Sequence, residues 1–74
     1  LTLTWTDNSN NEQGFYILRK APGSQTYVLI ATVKPNVQRY RDNKPKRWEN
    51  WCYVVASFIG ENRSYSNEAC NFNI

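Results

Sequence analysis

The chain has 74 residues and a net charge of +3, with two cysteines, no histidine and no methionine. It contains no apolar run near the roughly 18–20 residues of a membrane-spanning helix, and without histidine or a C-x-x-C pair it lacks the ligands of a zinc site. We therefore expect a single domain at 1–74 with no membrane span and no cofactor.

Alternation of apolar and polar residues predicts an all-β chain. Leu1, Leu3 and Trp5 alternate with threonines, which is typical of a strand with one buried face. A polar turn follows, and the alternation resumes at Phe15 and Ile17. By the same criterion the predicted strands are 1–6, 14–20, 26–33, 37–41, 51–59 and 66–74.

Proline and glycine mark the turns between these strands. In the segment 21–24, Pro22 presets φ and Gly23 supplies a positive φ. Pro35 breaks the chain after the third strand, a loop occupies 43–50, and a further turn is predicted at 60–63. Six strands with turns at regular spacing predict a two-sheet antiparallel sandwich.

Cys52 and Cys70 are the only cysteines. In a small β domain such a pair predicts one disulfide and an oxidising compartment, and the alternative is a pair of buried free thiols. If Trp51, Tyr53 and Val55 face the core, alternation puts Cys52 on the opposite face of its strand.

The positive charge is concentrated in one stretch. Six of the nine cationic residues lie between 34 and 47, with only Asp42 among them. We interpret this stretch as a solvated strand edge and loop, or as a weak site for a polyanion such as an acidic glycan. Aromatic residues do not interleave with these charges in a base-stacking pattern, so we expect no nucleic-acid partner.

No arrangement of residues favours catalysis. The six carboxylates fall mostly in loops or at strand ends, and Ser57 has no general base in any recognisable pattern. We therefore expect a protein that is not an enzyme. Glu12 is predicted to pair with Arg19 at the surface.

Six segments follow one another along the chain: Leu3-x-Trp5-Thr6-Asp7-Asn8-Ser9, Asn11-Glu12-x-Gly14-Phe15-x-Ile17-x-Arg19, Ile30-Ala31-Thr32-Val33, Tyr40-x-Asp42, Trp51-Cys52-Tyr53-x-Val55 and Tyr65-Ser66-Asn67-Glu68-Ala69-Cys70. This series resembles a fibronectin type III domain of the kind common in bacterial secreted proteins, and it covers nearly the whole chain. The resemblance implies a fibronectin type III or immunoglobulin-like sandwich with strands B, C, C′, E, F and G, in an extracellular or cell-surface protein.

Strand A and the corner position are two of the places where the chain departs from this family. No residues of the given sequence correspond to strand A, which would precede Leu1. We expect either that strand A belongs to the protein but not to this sequence, or that a neighbouring chain supplies it by pairing with strand B. Trp51 stands where the family has a corner Tyr, whose hydroxyl bonds to the loop before strand F. Trp51 can offer only its indole N–H, so we expect this hydrogen bond to be weaker or to go to another partner.

The resemblance places strands C and F side by side. Alternation then gathers four residues on one outer face, where relatives usually carry charge, and they are a candidate protein interface. They are Tyr16, Leu18, Val54 and Ala56. If side chains of strand G continue to alternate strictly after Cys70, Phe72 also lies on this outer surface, which is the arrangement we favour. A bulge after Cys70 would instead turn Phe72 inward.

Two further candidate sites lie in connecting segments. Trp48 either stacks on a sugar ring beside Lys44, Lys46 and Arg47 or closes the bottom of the core. Asn62 begins a glycosylation sequon.

These observations favour a non-catalytic extracellular module that makes protein contacts within a larger chain or assembly. The alternatives are a polysaccharide-binding accessory module and an inert spacer between domains.

Overall fold

A computed structural model describes residues 2–5, 12–44, 49–66 and 68–70. Within these ranges the chain forms strands and no helix, as predicted. The strands are β1 (Thr2–Thr4), β2 (Gly14–Lys20), β3 (Val28–Val33), β4 (Arg39–Arg41), β5 (Cys52–Ile59), β6 (Asn62–Tyr65) and β7 (Ala69–Cys70). The described residues accordingly include no helix with the length and apolarity to cross a bilayer.

The larger of two antiparallel sheets has the strand order β3-β2-β5-β6, and β7 also pairs with β5. Its centre is the long pairing of β2 with β5, in which Phe15 lies opposite Ser57 and Ile17 opposite Val55. Alternation therefore puts Phe15 and Ile17 on one face, which we call the inner face, and Tyr16 and Leu18 on the other, the outer face.

The smaller sheet consists of β1 and β4, with Leu3 opposite Tyr40. The Trp5 amide donates to the Gln38 carbonyl at 3.1 Å, which extends this ladder by one pair. The Trp5 ring meets Phe15 edge-on, with ring centroids 5.6 Å apart. The smaller sheet thus contributes to the core that covers the inner face, where Phe15 and Ile17 are buried.

A polar cluster occupies one end of this core. Asp42, directly after β4, accepts hydrogen bonds from Arg19 Nη1 at 2.9 Å and from the Tyr53 hydroxyl at 2.8 Å, both on Oδ2. The predicted pairing of Glu12 with Arg19 is therefore wrong, because Arg19 points into the core and finds a buried carboxylate there. Glu12 is itself buried, and its Oε2 makes no hydrogen bond within the described residues.

The indole of Trp51 finds a hydrogen-bond partner close by in the chain. Trp51 Nε1 donates to Glu49 Oε1 at 3.0 Å, two residues upstream. The Arg19 guanidinium lies 4.7 Å from the centroid of the Trp51 ring, an arrangement in which a cation is attracted to an aromatic face.

The turn at 21–24 is confirmed. The Ser24 amide donates to the Ala21 carbonyl at 3.0 Å, and Gly23 has a φ of 78°, as a turn with Pro followed by Gly requires. A similar bond joins the Val37 amide to the Lys34 carbonyl at 3.1 Å.

The predicted last strand at 66–74 and the turn at 60–63 need correction. Ile59 lies opposite Asn62, so the hairpin loop contains only Gly60 and Glu61, and Gly60 has the positive φ of 57° that such tight loops use. The chain is back in the sheet by Asn62, four residues before the predicted start. Residues 71–74 lie outside the described part of the chain.

Ser66 explains why β6 and β7 are separate strands. Its amide donates to the Val55 carbonyl at 2.8 Å, while its hydroxyl oxygen accepts from the Val55 amide at 3.0 Å. A side-chain oxygen here takes the place of a backbone carbonyl, so the regular ladder is interrupted and resumes at Ala69.

Candidate functional site

The outer face of the larger sheet contains the residues that the sequence predicts there. Tyr16 lies directly opposite Ala56, and Leu18 directly opposite Val54. Tyr16, Leu18 and Val54 are half-buried. Ala56 is fully buried at 0% exposure and offers no contact area, which corrects its assignment as an interface residue. The reason is its position between two large rings, Tyr16 on β2 and Tyr65 on β6.

A groove of about 310 Å³ runs over this face. Its lining residues are Leu18, Tyr27, Val54, Tyr65 and Ser66. Leu18 and Val54 are the predicted interface residues, whereas the two tyrosines were not recognised from the sequence. Placing Tyr65 beside Ala56 depends on the early start of β6, and the predicted turn at 60–63 concealed that start.

The groove has an aromatic and cationic rim at one end. The Tyr16 and Phe58 rings stack, with centroids 4.2 Å apart and planes 15° apart. The Arg63 guanidinium lies 4.5 Å from the centroid of the Tyr16 ring. Among the described residues, no carboxylate lies within ion-pair distance of the Arg63 guanidinium.

The opposite end carries a cluster that is already internally bonded. The Tyr27 hydroxyl donates to Glu68 Oε2, and Lys20 Nζ lies 3.1 Å from the same oxygen. Partial burial and the neighbouring carboxylate raise the pKa of Tyr27 to about 12. The hydrogen bonds from Tyr27 and Lys20 lower the pKa of Glu68. At neutral pH Tyr27 is therefore a neutral phenol and Glu68 a carboxylate.

The predicted disulfide is confirmed beside this cluster. Cys52 and Cys70 lie opposite each other on β5 and β7, are bonded, and have Cα atoms 3.9 Å apart. The disulfide fixes β7, only two residues long, and with it the nearby Glu68. The two sulfurs and the Glu68 carboxylate are close together, but sulfurs bonded to each other are not thiolate ligands for a metal.

The remaining predicted residues are dispersed or lie outside the described ranges. Lys44 is exposed and donates its backbone N–H to Asp42 Oδ1 at 3.1 Å. Asn62, at the start of β6, is exposed. Lys46, Arg47, Trp48 and Phe72 lie outside the described residues.

The outer face thus combines an apolar groove, an aromatic rim with a cation that no described carboxylate pairs, and a rim of mutually bonded polar groups. This arrangement can bury apolar groups of a bound molecule. Comparison of the chain with protein-family models, with curated proteins and with solved structures found no match.

Proposed function

We propose that this chain is a non-catalytic binding module that holds a protein partner in the groove on its outer face. The observation that carries the proposal is the groove itself, in which Leu18, Tyr27, Val54 and Tyr65 present apolar surface on a sheet face with no covering layer among the described residues. A gathered apolar surface of this kind marks interaction sites.

The proposal includes a fibronectin type III-like sandwich in an extracellular or cell-surface protein. It is supported by the strand pairings, because β1 with β4 and the order β3-β2-β5-β6 correspond to B with E and C′-C-F-G. The contact of Trp5 with Phe15 between the two sheets agrees with a sandwich. The disulfide supports an oxidising compartment.

A protein partner fits the groove better than a polysaccharide. Saccharide sites need polar groups that are ready to bond hydroxyls. Here the Tyr27 hydroxyl is engaged with Glu68, and the Ser66 hydroxyl is engaged with the Val55 amide. What the groove offers is mostly apolar and aromatic surface, the type of surface that anchors partner side chains at interfaces.

The charges specify the partner further. Arg63 lies at one end of the groove over Tyr16 and has no carboxylate partner among the described residues, and the chain as a whole carries +3. The complementary partner is a segment with an apolar or aromatic anchor for the groove and an acidic residue for Arg63.

Non-catalytic character is supported by the state of two of the described carboxylates. Asp42 is bonded to Arg19 and Tyr53, Glu68 to Tyr27 and Lys20. Carboxylates held in this way are not positioned as an acid and base pair across a cleft.

Selection from a random peptide library displayed on phage, with the folded disulfide-bonded domain as bait, tests this function. The proposal predicts selected peptides that share an apolar or aromatic residue near an acidic one. It also predicts amide shifts on binding that cluster at Leu18, Val54 and Tyr65 in NMR spectra. The proposal is wrong if the selected peptides lack acidic residues or shift only the smaller sheet. It is also wrong if acidic oligosaccharides shift the groove and no peptide does.

A further inference from the structure

The free edge of β3 differs from the other strand edges of the molecule. β3 lies within 21–33, thirteen consecutive residues without Asp, Glu, Lys or Arg. Val28 is 59% and Leu29 51% exposed, although both are large and apolar. Within the described residues β3 pairs only with β2, so its second side carries unpaired backbone groups.

Among the described residues, the other strands at sheet edges have features that discourage strand addition, and β7 is only two residues long. β4 carries Arg39 and Arg41, both exposed, and β6 carries Arg63. β1 is only three residues long. Charged and very short edge strands resist pairing with another chain, and β3, which has six residues, is neither.

The register of β3 makes the strand complementary to itself. Leu29 and Thr32 lie opposite Leu18 and Tyr16, so both are on the outer face. Val28 and Val33 lie opposite Arg19 and Phe15 on the inner face.

This pattern arises because the register shifts between Ile17 and Leu18, which leaves Ile30 as an extra residue in β3. Without that shift, strict alternation over the six residues of β3 would put Val28 and Val33, which are five positions apart, on opposite faces. With the shift, an antiparallel copy related by a two-fold axis at the Ile30–Ala31 bond sets Leu29 opposite Thr32 and Val28 opposite Val33. Inner residues then meet inner ones and outer residues meet outer ones.

We propose that β3 pairs antiparallel with β3 of a second copy of this chain, about a two-fold axis at Ile30–Ala31, and so joins the two larger sheets. Two copies with a charge of +3 each repel one another, and the uncharged edge is where that repulsion is smallest. The contact is isologous, because each copy uses the same strand. It is separate from the groove function proposed above and does not depend on it.

Sedimentation velocity over a range of protein concentrations tests the pairing. The wild-type chain should show a reversible monomer–dimer equilibrium. Leu29→Glu should raise the dissociation constant by about tenfold or more, because it places a charge on the edge. Ile59→Glu is the matched control, an exposed apolar residue at the end of β5, and it should leave the equilibrium unchanged.

A second pair of variants tests the register. Thr32→Lys should also weaken the dimer, and an equimolar mixture with Leu29→Glu should restore association, because the Glu of one copy then faces the Lys of the other. Circular dichroism checks that each variant is folded. The pairing is refuted if the wild-type chain stays monomeric up to its solubility limit, if Ile59→Glu disrupts the dimer as much as Leu29→Glu, or if mixing restores nothing. Val28→Glu places a charge on the same edge but on the inner face, away from the groove, so peptide binding by folded Val28→Glu separates failure here from failure of the groove.

Discussion

Asp42 connects the two sheets through one carboxylate. It follows β4 in the smaller sheet and accepts hydrogen bonds from Arg19 on β2 and Tyr53 on β5 in the larger one. Burial opposes ionisation of Asp42, but the hydrogen bonds from Arg19, Tyr53 and the Lys44 amide outweigh it and lower the pKa of the carboxyl. Burial together with the Asp42 charge raises the pKa of Tyr53. The cluster is therefore an ionised carboxylate held between a cation and a neutral phenol.

This cluster predicts loss of stability in acid. Because the pKa of Asp42 is lower in the folded than in the unfolded chain, its stabilisation is present above the ordinary Asp pKa of about 3.9. That stabilisation is lost as pH falls through the lower folded value. Urea unfolding followed from pH 6 down to about 2 should show the decline.

Asp42→Asn is the matched variant, and it should cost roughly 3–5 kcal/mol of unfolding free energy because it leaves the partly buried Arg19 without its counter-charge. Its remaining stability should depend less on pH below about 4 than that of the wild type. Equal acid dependence in the two proteins would show that other carboxyls are responsible. If Asp42→Asn does not fold, the wild-type curve alone decides, and a flat curve down to about pH 2 contradicts the assignment.

Gly14 is a second residue with a defined structural requirement. A Cβ at this position would lie 2.5 Å from the Val33 carbonyl oxygen and 3.0 Å from the Phe58 ring. Gly14→Ala should therefore lower the unfolding free energy by about 1–3 kcal/mol, since backbone of β3 must move.

Gly60→Asn is the control for Gly14→Ala. Unlike Gly14, Gly60 has open space around it, and its φ of 57° is one that Asn tolerates. Thermal unfolding should show a small shift for Gly60→Asn and a clear drop for Gly14→Ala. Similar shifts for both would mean that β2 and β3 are less closely apposed at Gly14.

At the scale of elements, alternation predicted β2 to the residue and located β4 and β5 within two residues at each end. It failed at the last strand because the deciding features are not periodic. Gly60 gives a two-residue hairpin loop, and Ser66 replaces a backbone acceptor with its own hydroxyl. Neither effect is visible as a pattern of apolar residues. Arg19 was misassigned for a related reason, since its partner lies 23 positions away and only the assembled sheets bring them together.

The disulfide should contribute more to stability than the short β7 suggests. It joins residues 18 positions apart, and closing a loop of that size stabilises a folded chain by about 3 kcal/mol in the chain-entropy model. Cys52→Ala with Cys70→Ala should therefore lower the urea midpoint substantially. Reductant should lower the wild-type midpoint and leave that of the double variant unchanged.

Two observations would contradict this expectation. One is an unchanged midpoint in the double variant. The other is a reductant effect that persists in the double variant, which has no cysteine left to reduce.

At the scale of the whole molecule, the two faces of the larger sheet have different surroundings. The inner face is covered by the core that Trp5 and Asp42 help to build, while the outer face of the larger sheet holds the groove. The sequence predicted the neighbours Leu18 and Val54 because strand alternation and the order of two strands suffice for them. The groove walls at Tyr27 and Tyr65 depend on where β3 and β6 begin, and those boundaries come from turns rather than from alternation.

Binding of the phage-selected peptides to Val54→Lys, measured by titration calorimetry, tests the central claim most directly. Val54 lines the groove, so an ammonium group there should weaken peptide binding by about tenfold or more while NMR spectra show an intact fold. Ile59→Lys adds the same charge at an exposed apolar residue that does not line the groove, and it should bind the peptides like the wild type. Equal binding by Val54→Lys and Ile59→Lys would contradict a binding role for the outer face.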